Sequence, residues 1–172
     1  MLYLRADYPR ERWAEPSLND IAKHWLAMHA GFRRHQAHMD ELAAQWRADR
    51  LDAATLHRRL IPTLQQFLQH LDAHHTIESG HYFPAMRRVE PSIAAGIDLL
   101  DRDHDAIHAR LEALFRDGSA FHQAVTGGGE TKDAAHRLAD TITAGAPDLL
   151  RHLEDEEDIV IPLIALRGDP LA

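Results

Sequence analysis

Cysteine is missing from the chain altogether. Without it there is no disulfide, no thiolate nucleophile, no sulfur-ligated zinc and no iron–sulfur cluster, so a tightly held metal must rest on nitrogen and oxygen donors. Long apolar runs are missing too. The opening MLYLRADYPRERWAEPS carries an arginine at position 5 and an acid at position 7, and no later stretch approaches a membrane span. A soluble, cytoplasmic protein with no membrane partner is expected. Positive charge is short, with 19 Lys and Arg against 27 Asp and Glu and a formal net charge of -8, which argues against a nucleic-acid partner. Strand-period alternation of useful length is absent as well, which leaves an all-α fold.

The 172 residues, 45% of them hydrophobic, suffice for one sizeable core. A single domain over residues 1–172 is expected, with 1–16 as an N-terminal extension and 167–172 as a tail. Helical spacing of apolar residues predicts four long helices. The first is capped by Ser17 and runs to about Ala48. The second begins near Asp52, passes Pro62 and is disturbed at Pro84. The third follows EPS at 90–92 and loosens around Asp117 and Gly118. After the TGGG loop at 126–129, the fourth starts near Thr131, kinks at Gly145 and Pro147, and reaches about Leu166. The architecture predicted is an antiparallel, up-and-down four-helix bundle. The TGGG loop has no strand before it and no lysine after it, so it is no phosphate cradle.

The abundant residue is histidine, 14 in all. HHTIESGHYFPAM at 74–86 and RHLEDEEDIVIPLI at 151–164 share one skeleton: superposing His74 on His152 brings Glu78 onto Glu156 and Pro84 onto Pro162. His29 superposes likewise on His104, with Trp25 on Leu100 and Phe32 on Ile107. Two helical hairpins so related would bring these side chains to one level. Residues four apart lie one turn above each other, so His74 with Glu78, His104 with His108 and His152 with Glu156 form three two-toothed sets, and His29 adds a single donor. Five imidazoles and two carboxylates exceed one tetrahedral zinc and suit two ions of iron, zinc, copper or manganese. Buried without metal, each such group would cost roughly 1–3 kcal/mol. His81, three residues after Glu78, is expected to line the core, either as a hydrogen-bonded core histidine or as support for a ligand. His75, about 100° from His74, is expected to be exposed, and the acidic run EDEED is read as solvated.

From IAKHWLAMHAGFRRH through FLQHLDAHHTIESGHYFPAM and LLDRDHDAIHARL to RHLEDEEDIVIPLI, nearly the whole chain resembles the hemerythrin-like (HHE cation-binding) domains of bacterial type. The resemblance implies a four-helix bundle around two non-haem iron ions in an Fe-O-Fe type centre, with zinc or another divalent metal as the alternative. It implies His104, His108 and His152 on one iron, His29 and His74 on the other, and Glu78 and Glu156 as bridges. The implied partner is dioxygen or another small diatomic or peroxide ligand, in oxygen or iron sensing, storage or scavenging. A peroxidase-like, nitric-oxide-related or iron-centre-repair enzyme is the alternative, although the repair proteins carry an added cysteine-bearing module. The invertebrate oxygen carriers place an aspartate five residues after the last histidine; here Glu156 stands at four and Glu157 at five, which argues against reversible oxygen transport.

Overall fold

The computed structural model describes residues 3–172, and they are helical almost throughout, with no strand among them. After α1 (Tyr3–Asp7) and a single 3-10 turn come four long helical stretches: α2 (Asp20–Arg47), α3 (Ala53–Ile77), α5 (Ala94–Thr126) and α6 (Lys132–Arg167). A five-residue π turn, Glu78–Tyr82, joins α3 to the short α4 (Phe83–Val89). None of the helices is long and apolar enough to cross a membrane.

The boundaries follow capping chemistry. Asn19, rather than Ser17, caps α2, its Oδ1 accepting from the Ile21 N–H at 2.8 Å, while the Ser17 hydroxyl turns back to Glu15. α2 stops where Asp49 adopts a left-handed φ of 52°, with Arg50 N–H returning to Gln45 O at 2.9 Å. Asp52 then caps α3 through the Thr55 N–H at 2.6 Å. Each such cap contributes about 1 kcal/mol. Gly128, at φ 68°, closes α5 in the same way within the TGGG loop.

The loosening expected around Asp117 and Gly118 does not occur, while the fourth helix runs on past Gly145 and Pro147 as expected. α5 continues through Gly118 to Thr126, because the missing side chain lets the helix approach Leu64: a Cβ there would lie 2.6 Å from Leu64 Cδ2. α6 continues through Gly145 and Pro147, where Arg110 of α5 donates to the Ala144 carbonyl at 3.1 Å and pairs with Asp148, holding the backbone on both sides of the proline.

The chain divides into two compact units. One comprises the chain up to Gly31, Ala73–Asp105 and Leu150–Ala172; the other comprises Phe32–Asp72 and Ala106–Leu149. In the second unit Gln45 meets Arg59 while Phe32 meets Phe67; His57 meets His122 while Asp72 meets His108. Arg110 meets Asp148 while Asp117 meets Thr141, and Gln36 meets Ile142 while Trp46 meets His136. In every pair of partners one residue number rises as the other falls, so each helical segment runs antiparallel to both of its neighbours. The first unit packs Leu4, Tyr8 and Leu18 of the N-terminal arm with Trp25, Phe83, Met86, Ile97, Leu100 and the continuous apolar run Ile159 to Ile164. That core seats the polar cluster described next.

Candidate metal centre

Seven chemistry-bearing side chains meet inside the first unit: His29 from α2, His74 and His75 from the end of α3, Glu78 from the π turn, His104 from α5, and His152 and Glu156 from α6. None is more than 7% exposed. They form two groups whose donor atoms lie within 4.8 Å of one another: His29, His74, Glu78 and Glu156 in one, and His75, His104 and His152 in the other.

The two carboxylates join the groups. Glu78 places Oε1 2.8 Å from His74 Nε2 and Oε2 3.5 Å from His104 Nε2. Glu156 places Oε1 3.5 Å from His29 Nε2 and Oε2 3.3 Å from His152 Nε2. Each carboxylate therefore presents one oxygen to either group. In the second group the rings of His75 and His104 stack at 3.9 Å, with His152 edge-on to both.

Outer contacts decide which ring nitrogen faces inward. His29 Nδ1 stands 3.1 Å from Glu157 Oε1, so the carboxylate accepts from the Nδ1–H and Nε2 turns to the cluster. Ser79 donates its hydroxyl proton to Asp101 at 2.6 Å and accepts from His104 Nδ1 at 2.9 Å, which likewise leaves His104 Nε2 inward. Trp25 donates from Nε1 to Glu156 Oε1 at 2.6 Å, and Phe83 stacks on His104 at 5.1 Å. Asp158, next along α6, accepts from Arg5 at 2.7 Å and Arg10 at 2.6 Å.

A family model described as "Hemerythrin HHE cation binding domain" matches residues 20–164. The chain belongs to that family. No curated protein and no solved structure matches the chain. In this HHE domain, matched over most of its length, cation binding is the family property, and the donor set can be tested against it.

The test is whether the cluster is satisfied by protein alone. Neither oxygen of Glu78, nor Glu156 Oε2, nor either ring nitrogen of His152 meets a hydrogen-bond partner among the described residues; the 2.8 Å approach of His74 to Glu78 is not aligned as a hydrogen bond. Five buried polar atoms lacking hydrogen bonds cannot be indifferent, at roughly 1–3 kcal/mol each. Charge tells the same story. Burial, then the charge of Glu156, pushes Glu78 well above the usual carboxylate range. Burial lowers His74 to about 3 and His75 further still. Burial would lower His29 as well, but Glu156 and Glu157 outweigh it and hold the ring up to about 9. Burial opposes ionisation of Glu156 too, yet His29 and His152 draw its pKa well below the ordinary value. Imidazole and carboxylate donors fit a nitrogen and oxygen site for first-row metals.

Against the sequence reading, the structure brings His29, His74, Glu78, His104, His152 and Glu156 together and leaves two candidates outside. His108 lies in the second unit, its side chain 43% exposed and 3.4 Å from Asp72. Its place beside His104 and His152 is taken by His75, which is 1% exposed rather than on the surface. One helix in a bundle faces two neighbours, so adjacent residues about 100° apart can both point inward: His74 meets His29 of α2, and His75 meets His104 of α5. The adjacent pair HH was the available signal. His81 is exposed because the wider π turn rotates it off the face of Glu78. The acidic run is only partly solvated: Glu156, Glu157 and Asp158 are buried, each against a partner named above.

Proposed function

We propose that this HHE domain holds two iron ions between its two donor groups and uses them to bind or respond to dioxygen or a peroxide-like small molecule. The observation that carries this reading is the placement of Glu78 and Glu156, each with one oxygen toward either group. Such a pair is wasted on a single ion and suits two ions sharing both carboxylates. His29, His74, Glu78 and Glu156 would hold one ion, and His75, His104 and His152 the other. Bound iron would supply the one-electron chemistry that a response to oxygen requires.

The protein's own residues do the rest. Glu157 and the Ser79–Asp101 pair keep protons on the outer nitrogens of His29 and His104, so the inner nitrogens stay free to bind. Trp25 orients Glu156, and Phe83 with the apolar run of α6 excludes water. Donors no more than 7% exposed favour a ligand of a few atoms over a bulky substrate, so sensing, storage or scavenging of a small molecule is the function assigned.

The test is metal content per chain after anaerobic purification, with optical spectra before and after oxygen is admitted. Two irons and new near-ultraviolet and visible charge-transfer bands are expected. Zinc alone, or a silent spectrum after ferrous reconstitution, refutes the iron and oxygen reading.

A further inference from the structure

Resting on the two-ion reading, we infer that the two donor groups load in a fixed order, the group of His29, His74, Glu78 and Glu156 taking the first ion, and that Glu157 sets the affinity of that step. The first reason is charge. Two of the four donors in this group are carboxylates, whereas His75, His104 and His152 are all imidazoles. A cation reaching an otherwise metal-free cluster gains most where the anionic oxygens converge, and once it has drawn on both carboxylates the second ion meets a positive neighbour.

The second reason is what stands behind each ring. An imidazole is a better donor when its outer N–H is held by an anion. His29 has such a partner in Glu157, at 3.1 Å and 5% exposed. His104 is held by the neutral hydroxyl of Ser79, which stands between it and the charge of Asp101. The outer nitrogen of His152 lies 3.8 Å from Asp103, beyond hydrogen-bond reach. The neighbouring acid, Asp158, has its charge answered by Arg5 and Arg10. Glu157 is therefore the anion that strengthens the first group and not the second. It stands five residues after His152, where the oxygen carriers place an aspartate, and it acts as a positioning residue behind His29.

The metal-free full-length chain, titrated anaerobically with ferrous ion in a calorimeter, tests the order. The parent should show two steps of one ion each, the first tighter. Glu157→Gln, which keeps the size of the side chain and an acceptor for His29, should weaken the first step about 10–100-fold and leave the second within a few-fold. His75→Gln should retain the first step at parent affinity and lose the second; it needs no change at Glu157 and keeps the test valid if that variant folds poorly. A single step of two equivalent ions, Glu157→Gln acting on the second step alone, or His75→Gln abolishing the first step would each overturn the order while leaving a two-ion centre intact. A parent that binds one ion or none overturns the order together with the reading it rests on.

Discussion

Replacing Glu78 by methionine should reverse the stability ranking of variant and parent according to whether metal is present. Metal-free, Glu78 is 1% exposed, and neither of its oxygens accepts a hydrogen bond from the described residues. Each such atom costs roughly 1–3 kcal/mol. A methionine of similar volume removes both atoms, about 2–6 kcal/mol together, at a packing cost below about 1.5 kcal/mol, so the metal-free variant should gain roughly 0.5–6 kcal/mol. For a domain of this size 1 kcal/mol moves the melting point by about 2–4 °C, which predicts a rise of roughly 1–24 °C in chelator. With metal the sign inverts. Each ion present at a hundred times its dissociation constant stabilises the parent by about 2.7 kcal/mol, so two ions together raise the parent's melting point by roughly 10–20 °C. The variant, with one of its two shared carboxylates gone, should lose most of that shift. Anaerobic scanning calorimetry of both proteins at pH 7, in chelator and in ferrous ion, gives all four melting points. A variant that melts below the parent in chelator would refute the argument that these oxygens are held against their own solvation, and a variant that keeps the full ferrous shift would refute the sharing of Glu78 between two ions.

Elemental analysis of two single variants separates the adjacent histidine from the spaced one: His75→Ala should hold one ion fewer than the parent and His108→Ala the same number, and the opposite result would restore His108 as a ligand. Metal-free, the urea midpoint should peak near neutral pH. On the acid side, His74 stays neutral down to about 3 when folded but takes a proton near 6.5 when unfolded, so stability drops as pH falls through that window. On the alkaline side, the contribution of His29, raised to about 9, is whole below 6.5 and lost as pH climbs through 9. His29→Gln should flatten only the alkaline limb; an unaltered alkaline limb would remove His29 as its source. Gly118→Ala sets a Cβ 2.6 Å from Leu64 Cδ2 and should cost about 1–3 kcal/mol with the metal content unchanged, and Leu64→Val in the same chain should recover part of the loss of melting temperature.

Most of the helical plan was legible because four long periodic segments and their turn residues point the same way. Within one helix the fourfold spacing also carried real information: His74 does stand over Glu78, and His152 over Glu156. What periodicity cannot say is how many neighbours a helix face meets. A rule that allows one inward direction per helix sends His75 to the surface; two neighbours give it a second inward direction and make HH a pair of donors for different groups. The same blindness misplaced His108, whose spacing from His104 is sound but whose level in the chain puts it beside Asp72.

The local backbone accounts for the remaining difference. Pro84 was visible, and its lack of an N–H was expected to disturb the helix. Its consequence is more specific: the turn widens, the Phe83 N–H reaches back to Glu78 O, and Ser79 and His81 are re-aimed. Ser79 comes to His104 and Asp101, while His81 leaves for solvent. Its counterpart in the repeat, Pro162, sits in a helix that stays regular. The residue that aligns with Gly80 there is Asp158, tied by Arg5 and Arg10, whereas a side chain at Gly80 would meet nothing within 4 Å. One proline in open surroundings can take up a π turn; the same proline beside an anchored carboxylate keeps its helix. The two hairpins are therefore alike in their donors and unlike in what holds them. That is why one carboxylate of the centre comes from a widened turn and the other from an unbroken helix.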